Sequence, residues 1–430
     1  MNTSFIKRME DRPRIQSAFW YVLTCFLVCF FFLMFQGGKL ATMLFITVSI
    51  ISIYLVLGNW SGIKRTQGVR TLANTEQDIR LDAGQSLQVQ LQVQIPGVWP
   101  IPYIMIKDRL IRLNGEETVF EGSLVPDWRR RGKLTYLTTP LKRGFYTFGA
   151  TECATEDIFG LFQHKGKLQL PQHVSVFPQT ITIKDWVQFH QMLKGMQHHS
   201  TTTRAQRETT QINGVREYIY GDRLSRIHWN ATAKTGTWKS KEFERESLPK
   251  TVILLDRTYR TYGDAAQFEL AVSVAASLFR YGASRELALG LLSVGSHAAY
   301  YEPRQTYSQH KQIMSHLVSV EADGFHPLFE VIKERARQLP SGGFFVIISP
   351  QKGPAMMQIL SWLNQHQMNP CHICINPETH GPFTSPSEGT RASEDWIKKI
   401  RAQGYMGYEL SNLTELPNIL GGAKRYAFGD

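Results

Sequence analysis

The chain has 430 residues, a formal net charge of +12 and five cysteines. This length exceeds what one ordinary hydrophobic core can organise, so it predicts two or three soluble units beyond any membrane segment. The positive charge is spread along the chain, which disfavours nucleic-acid binding and fits a body held beside an anionic membrane. The scattered cysteines exclude a disulfide-based secreted scaffold.

The first predicted element is a transmembrane helical hairpin within residues 1–62. Residues 18–35 and 40–57 carry no charge. At about 1.5 Å rise per residue, each run nearly spans a bilayer core of ~30 Å. Residues 36–39 leave room only for a tight turn, so the two outer ends of the hairpin lie on the same side of the membrane.

Basic residues flank both outer ends of this hairpin, namely Lys7, Arg8, Arg12, Arg14, Lys64, Arg65 and Arg70. The positive-inside rule therefore predicts a multi-pass protein of the cell inner (plasma) membrane, with its soluble domains cytoplasmic and beside the lipid bilayer. A cleaved signal peptide and buried helices of a soluble core are the alternatives.

Residues 75–180 are predicted to form an antiparallel β-sandwich-like domain. Apolar residues at alternate positions from Leu87 to Ile95 are separated by glutamines, which is typical of a strand with one wet face. Further short apolar runs, separated by Pro, Gly and Asp, extend this pattern. The basic run Trp128–Lys133 is interpreted as a solvated turn, with contact to phospholipid headgroups as the alternative.

Residues 181–250 form a predicted charged connector with an unusual mixture of charges and aromatic rings. Asp222 and His228 would make an acid/base pair, or Arg216, Arg226 and Lys234 would make a phosphate clamp. The favoured interpretation is a buried salt-bridge network that locks the connector between two domains. The common hydrolase and nucleotide-binding motifs do not occur in the chain, so no catalytic residue is predicted.

Residues 251–430 are predicted to form an α/β doubly wound domain. Short apolar runs such as Thr251–Asp256 alternate with helical patterns, which favours a parallel sheet covered by helices on both faces. Ligands of such sheets bind beyond the carboxyl ends of the strands, where Asp256 lies. Cys371 and Cys374 have the spacing of a redox or half-zinc motif, but we interpret them as structural cysteines of a buried strand.

The connector resembles the signature of the bacterial domain-of-unknown-function family 58, R-x-Y-x-x-G-D-x-x-x-R-I-x-W. The matching residues are Arg216, Tyr218, Gly221, Asp222, Arg226, Ile227 and Trp229. His228 occupies a position where the family often has Asp. Residues 156–162, EDIFGLF, are similar to a second family element, E-D-P-F-G-L-F, with Ile158 in place of Pro.

This resemblance implies a von Willebrand factor A (vWA)-like C-terminal domain, in which a D-x-S-x-S loop and a later Asp hold a divalent cation. Here Asp256 and Thr258 would supply oxygens, but Arg260 stands where a hydroxyl is expected. Ser349 stands where a later strand often ends in Asp. Because hard cations need several oxygen ligands, we expect no cofactor, with Mg²⁺ held by Asp256 and Thr258 as the less favoured alternative, and expect Arg260 to pair with Asp256.

The resemblance further implies a membrane-anchored, non-enzymatic adaptor or scaffold. Its expected partners are a MoxR-type AAA+ ATPase and a transglutaminase-like membrane protein, in the assembly or remodelling of envelope-associated complexes. One alternative is a hydrolase that uses Asp222 and His228 on a phosphate-bearing substrate. The other is nucleic-acid binding by the basic body, whose affinity would fall steeply with salt.

Overall fold

A computed structural model describes residues 14–58, 61–72, 80–187, 189–190, 208–219, 224–245, 250–340, 342–376 and 388–421. The chain divides into two compact units, Met1–Phe177 and Pro178–Asp430. Each unit is described by itself below.

Two long apolar helices open the first unit, α1 (Arg14–Gln36) and α2 (Gly38–Leu57). They are joined at Gly37, whose φ of 59° suits a residue without a side chain. The rings of Phe26 and Phe30 lie 5.4 and 5.9 Å from that of Phe45, so the helices pack side by side. Both are long and apolar enough to cross a membrane, and only 6% and 11% of their apolar windows are buried. Helices of a soluble core would be mostly buried.

A β-rich domain completes the first unit. Its strands are β1 (Gln67–Leu72), β2 (Arg80–Asp82), β3 (Gln88–Gln94), β4 (Ile104–Arg112), β5 (Glu117–Leu124), β6 (Arg131–Leu137), β7 (Gly144–Phe148), β8 (Thr151–Glu156), β9 (Gln163–Leu168) and β10 (His173–Phe177). One sheet has the order β1-β3-β6, and the other has the order β2-β10-β7-β4-β8-β9 with β5 on β4. All pairs are antiparallel except β2 with β10, which is parallel.

The alternation in β3 has the predicted consequence. Val89, Leu91 and Val93 are buried in one core together with Ile104 and Ile106 of the other sheet. The interleaved glutamines are exposed or half-buried. Burying one face of each strand therefore holds the two sheets together.

A buried ion pair crosses this core. Arg70 Nη2 lies 2.6 Å from Asp108 Oδ1, and both side chains are 1% exposed. Thr151 and Tyr136 donate hydroxyl hydrogen bonds to the same carboxylate. Arg70, which the sequence groups with the basic flank of the hairpin, therefore belongs to the interior of the β domain.

The second unit contains a small module and an α/β domain. The module contains β11 (Glu208–Glu217), α3 (Trp229–Thr235) and β12 (Lys239–Arg245). The α/β domain contains β13 (Thr251–Asp256), α4 (Ala265–Ser284), β14 (Leu289–Val294), β15 (Ala299–Arg304), α5 (Tyr307–Ser319), α6 (Leu328–Arg335), β16 (Phe344–Ser349), α7 (Pro354–Gln365), β17 (Asn369–Ile375), α8 (Glu388–Ala402), β18 (Met406–Leu410) and α9 (Leu416–Leu420).

Its sheet has the order β15-β14-β13-β16-β17-β18. Only β15 runs antiparallel to its neighbour within this sheet. Alternate residues of β13 enter two cores: Ile253 and Leu255 pack beneath α4, α5 and α9, and Val252 and Leu254 pack beneath α6, α7 and α8. Helices thus cover both faces of the sheet, as predicted. The strand order reverses between β13 and β16, which is where such sheets bind ligands.

The start of the predicted connector belongs to the α/β core. Ile183, Trp186 and Phe189 are buried there. The rings of Trp186 and Phe189 lie 5.7 and 5.3 Å from that of Phe344, the first residue of β16. Trp186 and Phe189 therefore close one end of the sheet, because the apolar start of β16 would otherwise face water.

Candidate functional site

The signature segment forms the small module of the second unit. β11 and β12 pair in antiparallel fashion, and a bridge between Ile227 and Ser240 attaches the intervening chain to β12. Ile227 is buried and anchors this chain. His228 caps the N-terminus of α3, because its Nδ1 accepts a hydrogen bond from the Ala231 amide at 3.1 Å.

The structure describes some of the predicted site residues and not others. Gly221 and Asp222 lie outside the described residues, and so does the side chain of Arg226. Arg216 Nη1 donates to the Glu217 carbonyl at 3.0 Å. The predicted acid/base pair therefore lacks a described Asp222, and the predicted phosphate clamp lacks a described Arg226 side chain. His228 Nδ1 is engaged by the helix it caps.

Three aromatic rings of the module cluster at its surface. The Trp238 ring lies 5.6 Å from that of Tyr218 and 6.5 Å from that of Trp229. Trp229 is 63% exposed and Trp238 is 53% exposed. We call Tyr218, Trp229 and Trp238 the aromatic patch.

The favoured interpretation of the connector as a buried salt-bridge network involves Asp222 and the Arg226 side chain, which lie outside the described residues, so it stays a prediction. One ion pair within the described part of the module, Lys239 with Glu217 at 3.1 Å, has a largely exposed Glu217. An exposed ion pair of this kind contributes little to stability. The aromatic residues, and not the charges, are the unusual feature of this surface.

A second candidate site lies at the switch point of the α/β sheet. Asp256 ends β13 and is fully buried. Its Oδ1 accepts from the Thr258 amide at 2.9 Å, and its Oδ2 accepts from Ser349 Oγ at 2.7 Å. The Tyr262 hydroxyl donates to the Asp256 backbone carbonyl. Burial raises the pKa of Asp256, and the hydrogen bonds from Ser349 and Thr258 offset this only in part.

These residues do not fit a divalent cation. Both carboxylate oxygens of Asp256 already accept hydrogen bonds, and Ser349 Oγ also accepts from the Gln351 amide at 3.0 Å. Within the described residues, no group of three His, Cys, Asp or Glu side chains is placed to hold a metal. A hard cation needs more oxygen ligands than Asp256 and Thr258 supply.

The arginine that organises this loop is Arg257 rather than Arg260. Arg260 is exposed, and the expected pair with Asp256 is replaced by the bonds from Thr258 and Ser349. Arg257 is buried, pairs with Asp323, and donates to the Glu321 carbonyl at 2.9 Å. Burial tends to raise the pKa of Asp323, but the Ser296 hydrogen bond and the Arg257 charge outweigh it and lower that pKa.

Comparison with known proteins identifies the segment that contains both sites. Residues 214–365 match the family model described as Protein of unknown function DUF58. This segment of the chain therefore belongs to the DUF58 family. No curated protein matches it.

Two solved structures that resemble parts of this chain share little sequence with it. Proximal thread matrix protein 1 from the mussel byssus is 12% identical with a TM-score of 0.28, and the match covers 40% of this chain and 45% of the mussel protein. The CARDB domain of a Pyrococcus furiosus protein, solved with di-metal ions, is 14% identical with a TM-score of 0.17, over 26% of this chain and 88% of that domain. These scores are too low to carry an argument.

The two cysteines of β17, Cys371 and Cys374, do not act together. Cys371 and Cys374 point into the cores on opposite faces of the sheet, so they cannot share a metal or form a disulfide. Burial raises the pKa of both thiols, that of Cys374 to about 12. Between them, His372 Nδ1 accepts from Trp396 Nε1 at 3.2 Å, and its Nε2 lies 3.1 Å from the Ser349 carbonyl.

Proposed function

We propose that this DUF58 protein is a membrane-anchored, non-enzymatic adaptor that binds a partner protein through its aromatic patch. The observation that carries the proposal is the exposure of Trp229 and Trp238 beside Tyr218 within the family-matched segment. Tryptophan and tyrosine are enriched among the few residues that supply most of the energy of protein interfaces. Leaving two indole rings in water is otherwise unfavourable.

The charges around the patch suggest the chemistry of the partner. Arg216, Lys234, Lys239 and Lys241 lie on the same small module. Basic side chains outnumber the acidic Glu217 among the described charged residues of this module, which favours a partner surface of negative charge. The family resemblance points to a MoxR-type AAA+ ATPase as this partner, and to a transglutaminase-like membrane protein as a further member of the complex.

The anchor and the α/β domain complete the proposal. We place α1 and α2 across the inner membrane with both soluble units in the cytoplasm, where an ATPase has access to ATP. Their exposed apolar side chains and the basic residues Lys64 and Arg65 after α2 support this orientation. The strand order and antiparallel edge strand β15 support a vWA-like domain that acts without a cation.

Capture of the ATPase tests this proposal directly. The full chain, solubilised in detergent, is immobilised and exposed to the purified MoxR-type ATPase of the same organism, with and without ATP. Trp229→Ala and Trp238→Ala should each weaken capture by roughly tenfold or more, as expected for interface tryptophans. Phe325→Ala, an exposed aromatic residue elsewhere in the same unit, is the matched control and should leave capture unchanged.

Retained capture by both folded tryptophan variants would refute the aromatic patch as the docking surface. Failure of the wild-type chain to capture the ATPase would refute the partner. Turnover of a phosphate ester by the wild-type chain that is lost in His228→Ala would support the hydrolase alternative instead.

A further inference from the structure

We infer that three loops at one end of the β domain form a surface that lies in the interface of an anionic bilayer. The loops are residues 95–103, 125–130 and 157–162, and we call them the interface loops. The inference rests on the membrane anchoring in the proposed function and adds to it a second contact with the membrane, made by the β domain itself.

Strand register places all three loops at the same end of the domain. Ile104, which begins β4 after the first loop, pairs with Leu124, which ends β5 before the second loop. Met105 pairs with Ala154 of β8, the strand that leads into the third loop. Gln67, which begins β1 shortly after α2, pairs with Gln94 at the end of β3. The chain therefore leaves α2 at the end of the domain that carries the interface loops.

Direct contacts fix the depth of these loops relative to α2. The ring of Tyr54 lies 5.5 Å from that of Trp99 and 6.3 Å from that of Phe159. Tyr54 is three residues, about 4.5 Å, from the end of α2 at Leu57. Arg130 of the second loop donates to the Ser61 carbonyl just beyond this helix. A membrane that contains α2 must therefore also reach Trp99 and Phe159.

The side chains on these loops suit the boundary between headgroups and acyl chains. Val98 is 99% exposed, Trp128 is 85% exposed and Ile158 is 71% exposed. Tryptophan and tyrosine concentrate at this depth in membrane proteins, since their rings are apolar and carry one polar group. Several exposed apolar residues at one end of a soluble domain would otherwise be an unfavourable patch.

The third loop is held rigidly with its apolar residues outward. Asp157 is buried, and its carboxylate accepts hydrogen bonds from the amides of Phe159, Leu161 and Phe162. Gly160 supplies a φ of 64°, which the turn requires. The EDIFGLF element therefore orders a loop that exposes Ile158 and Phe159. The aromatic patch proposed to bind a partner does not involve this motif.

Charge favours an anionic membrane. The exposed ionic side chains near the interface loops are mostly basic, namely Lys64, Arg65, Arg129 and Arg131, with Asp127 as the exposed acid among the described loop residues. The Arg129 guanidinium lies 4.7 Å from the Trp128 ring centroid, so the two side chains would enter the headgroup region together. Basic residues at this depth are attracted by anionic lipid headgroups.

Depth-dependent quenching tests the inference. The full chain, with its five native cysteines replaced, carries one new cysteine labelled with an environment-sensitive fluorophore, at Ile158→Cys or at Leu113→Cys. Leu113 is 79% exposed and lies beyond the far end of β4, roughly 27 Å along the strand from the interface loops, so it is the matched control. The protein is reconstituted into vesicles of phosphatidylcholine with phosphatidylglycerol that contain lipids quenching near the headgroup.

We expect the label at position 158 to be blue-shifted and strongly quenched, and the label at position 113 to behave as in water. Quenching at position 158 should decrease when phosphatidylglycerol is omitted, and equal quenching would refute the preference for anionic lipid. If the protein floats with the vesicles while position 158 is as accessible to water as position 113, the interface loops are refuted and the adaptor proposal stands. A chain that does not float refutes the anchor and the interface loops together, whatever its capture of the ATPase.

Discussion

Asp256 Oδ2 and Ser349 Oγ lie 2.7 Å apart, across the adjoining ends of β13 and β16. The bond joins the two strands between which the order of the sheet reverses, at the end of the sheet where doubly wound domains bind their ligands. The carboxylate that the sequence marks as a candidate cation ligand is thus used within the protein. Among the described residues, no group of three His, Cys, Asp or Glu side chains is placed to hold a metal with Asp256, so its hydrogen bonds to Ser349 and Thr258 are its observed interactions.

Ser349→Ala should lower the free energy of unfolding by about 1 to 3 kcal/mol, because it leaves a buried carboxylate without one of its donors. Chemical denaturation of the full chain measures this loss. Ser296→Ala is the matched control, since Ser296 donates to the more exposed Asp323 and should cost less than about 1 kcal/mol. Mg²⁺ should not raise the Tm of the wild-type chain, and a clear rise would show that the carboxylate is available to a cation.

His228→Asp should preserve the cap of α3, and His228→Ala should weaken it by about 1 kcal/mol, because only Asp retains an acceptor for the Ala231 amide. Hydrogen exchange at the Ala231 amide provides the measurement: protection in the wild type and in His228→Asp, and faster exchange in His228→Ala. Equal exchange rates in all three proteins would contradict the capping role. Partner capture should follow the same order if the cap positions Trp229.

Asp108→Asn should destabilise the β domain by about 3 to 5 kcal/mol, since it leaves the buried Arg70 guanidinium without its counter-charge. The control is Glu117→Gln, which removes a partly exposed ion pair with Arg109 and should cost less than about 1 kcal/mol. Both values come from denaturation monitored within the first unit. Similar losses of unfolding free energy in the two variants would mean that the buried pair stabilises the domain no more than the exposed one.

The stability of the protein should decrease at acidic pH because of His372. Burial lowers the pKa of this histidine to about 4, against an ordinary value of 6.5 in the unfolded chain. Between these two values only the unfolded chain takes up the proton, so stability is fully present above pH 6.5 and falls as the pH drops toward 4. At roughly 1.4 kcal/mol per pH unit, the loss from this group approaches about 3 kcal/mol.

His316 adds to the same trend, because burial and the Arg257 charge lower its pKa to about 4 as well. Denaturation curves recorded across this pH range for the wild type and for His372→Gln provide the test. The variant should lose part of the slope whatever its stability at neutral pH. An identical slope in the two proteins would show that His372 is not held neutral by the fold.

The sequence by itself determined many of the helices and strands of this protein. Uncharged runs specify α1 and α2, strict alternation specifies β3, and continuous apolar runs specify β13, β16 and β17, because each pattern reflects the environment of consecutive residues. The same patterns did not reveal β15, whose tyrosines and charges are typical of an edge strand, or β18. The family signature was also legible in the sequence, and the family match supports it.

Only the tertiary structure decided which of these residues meet and which face water. Arg70 lies in the β core because Asp108, far along the chain, supplies its charge partner. Arg257, and not Arg260, is drawn inward because Asp323 and Ser293 line its path. Trp229 and Trp238 are exposed although aromatic residues usually pack inside. Burial and pairing depend on contacts between distant segments, and no local pattern encodes those contacts.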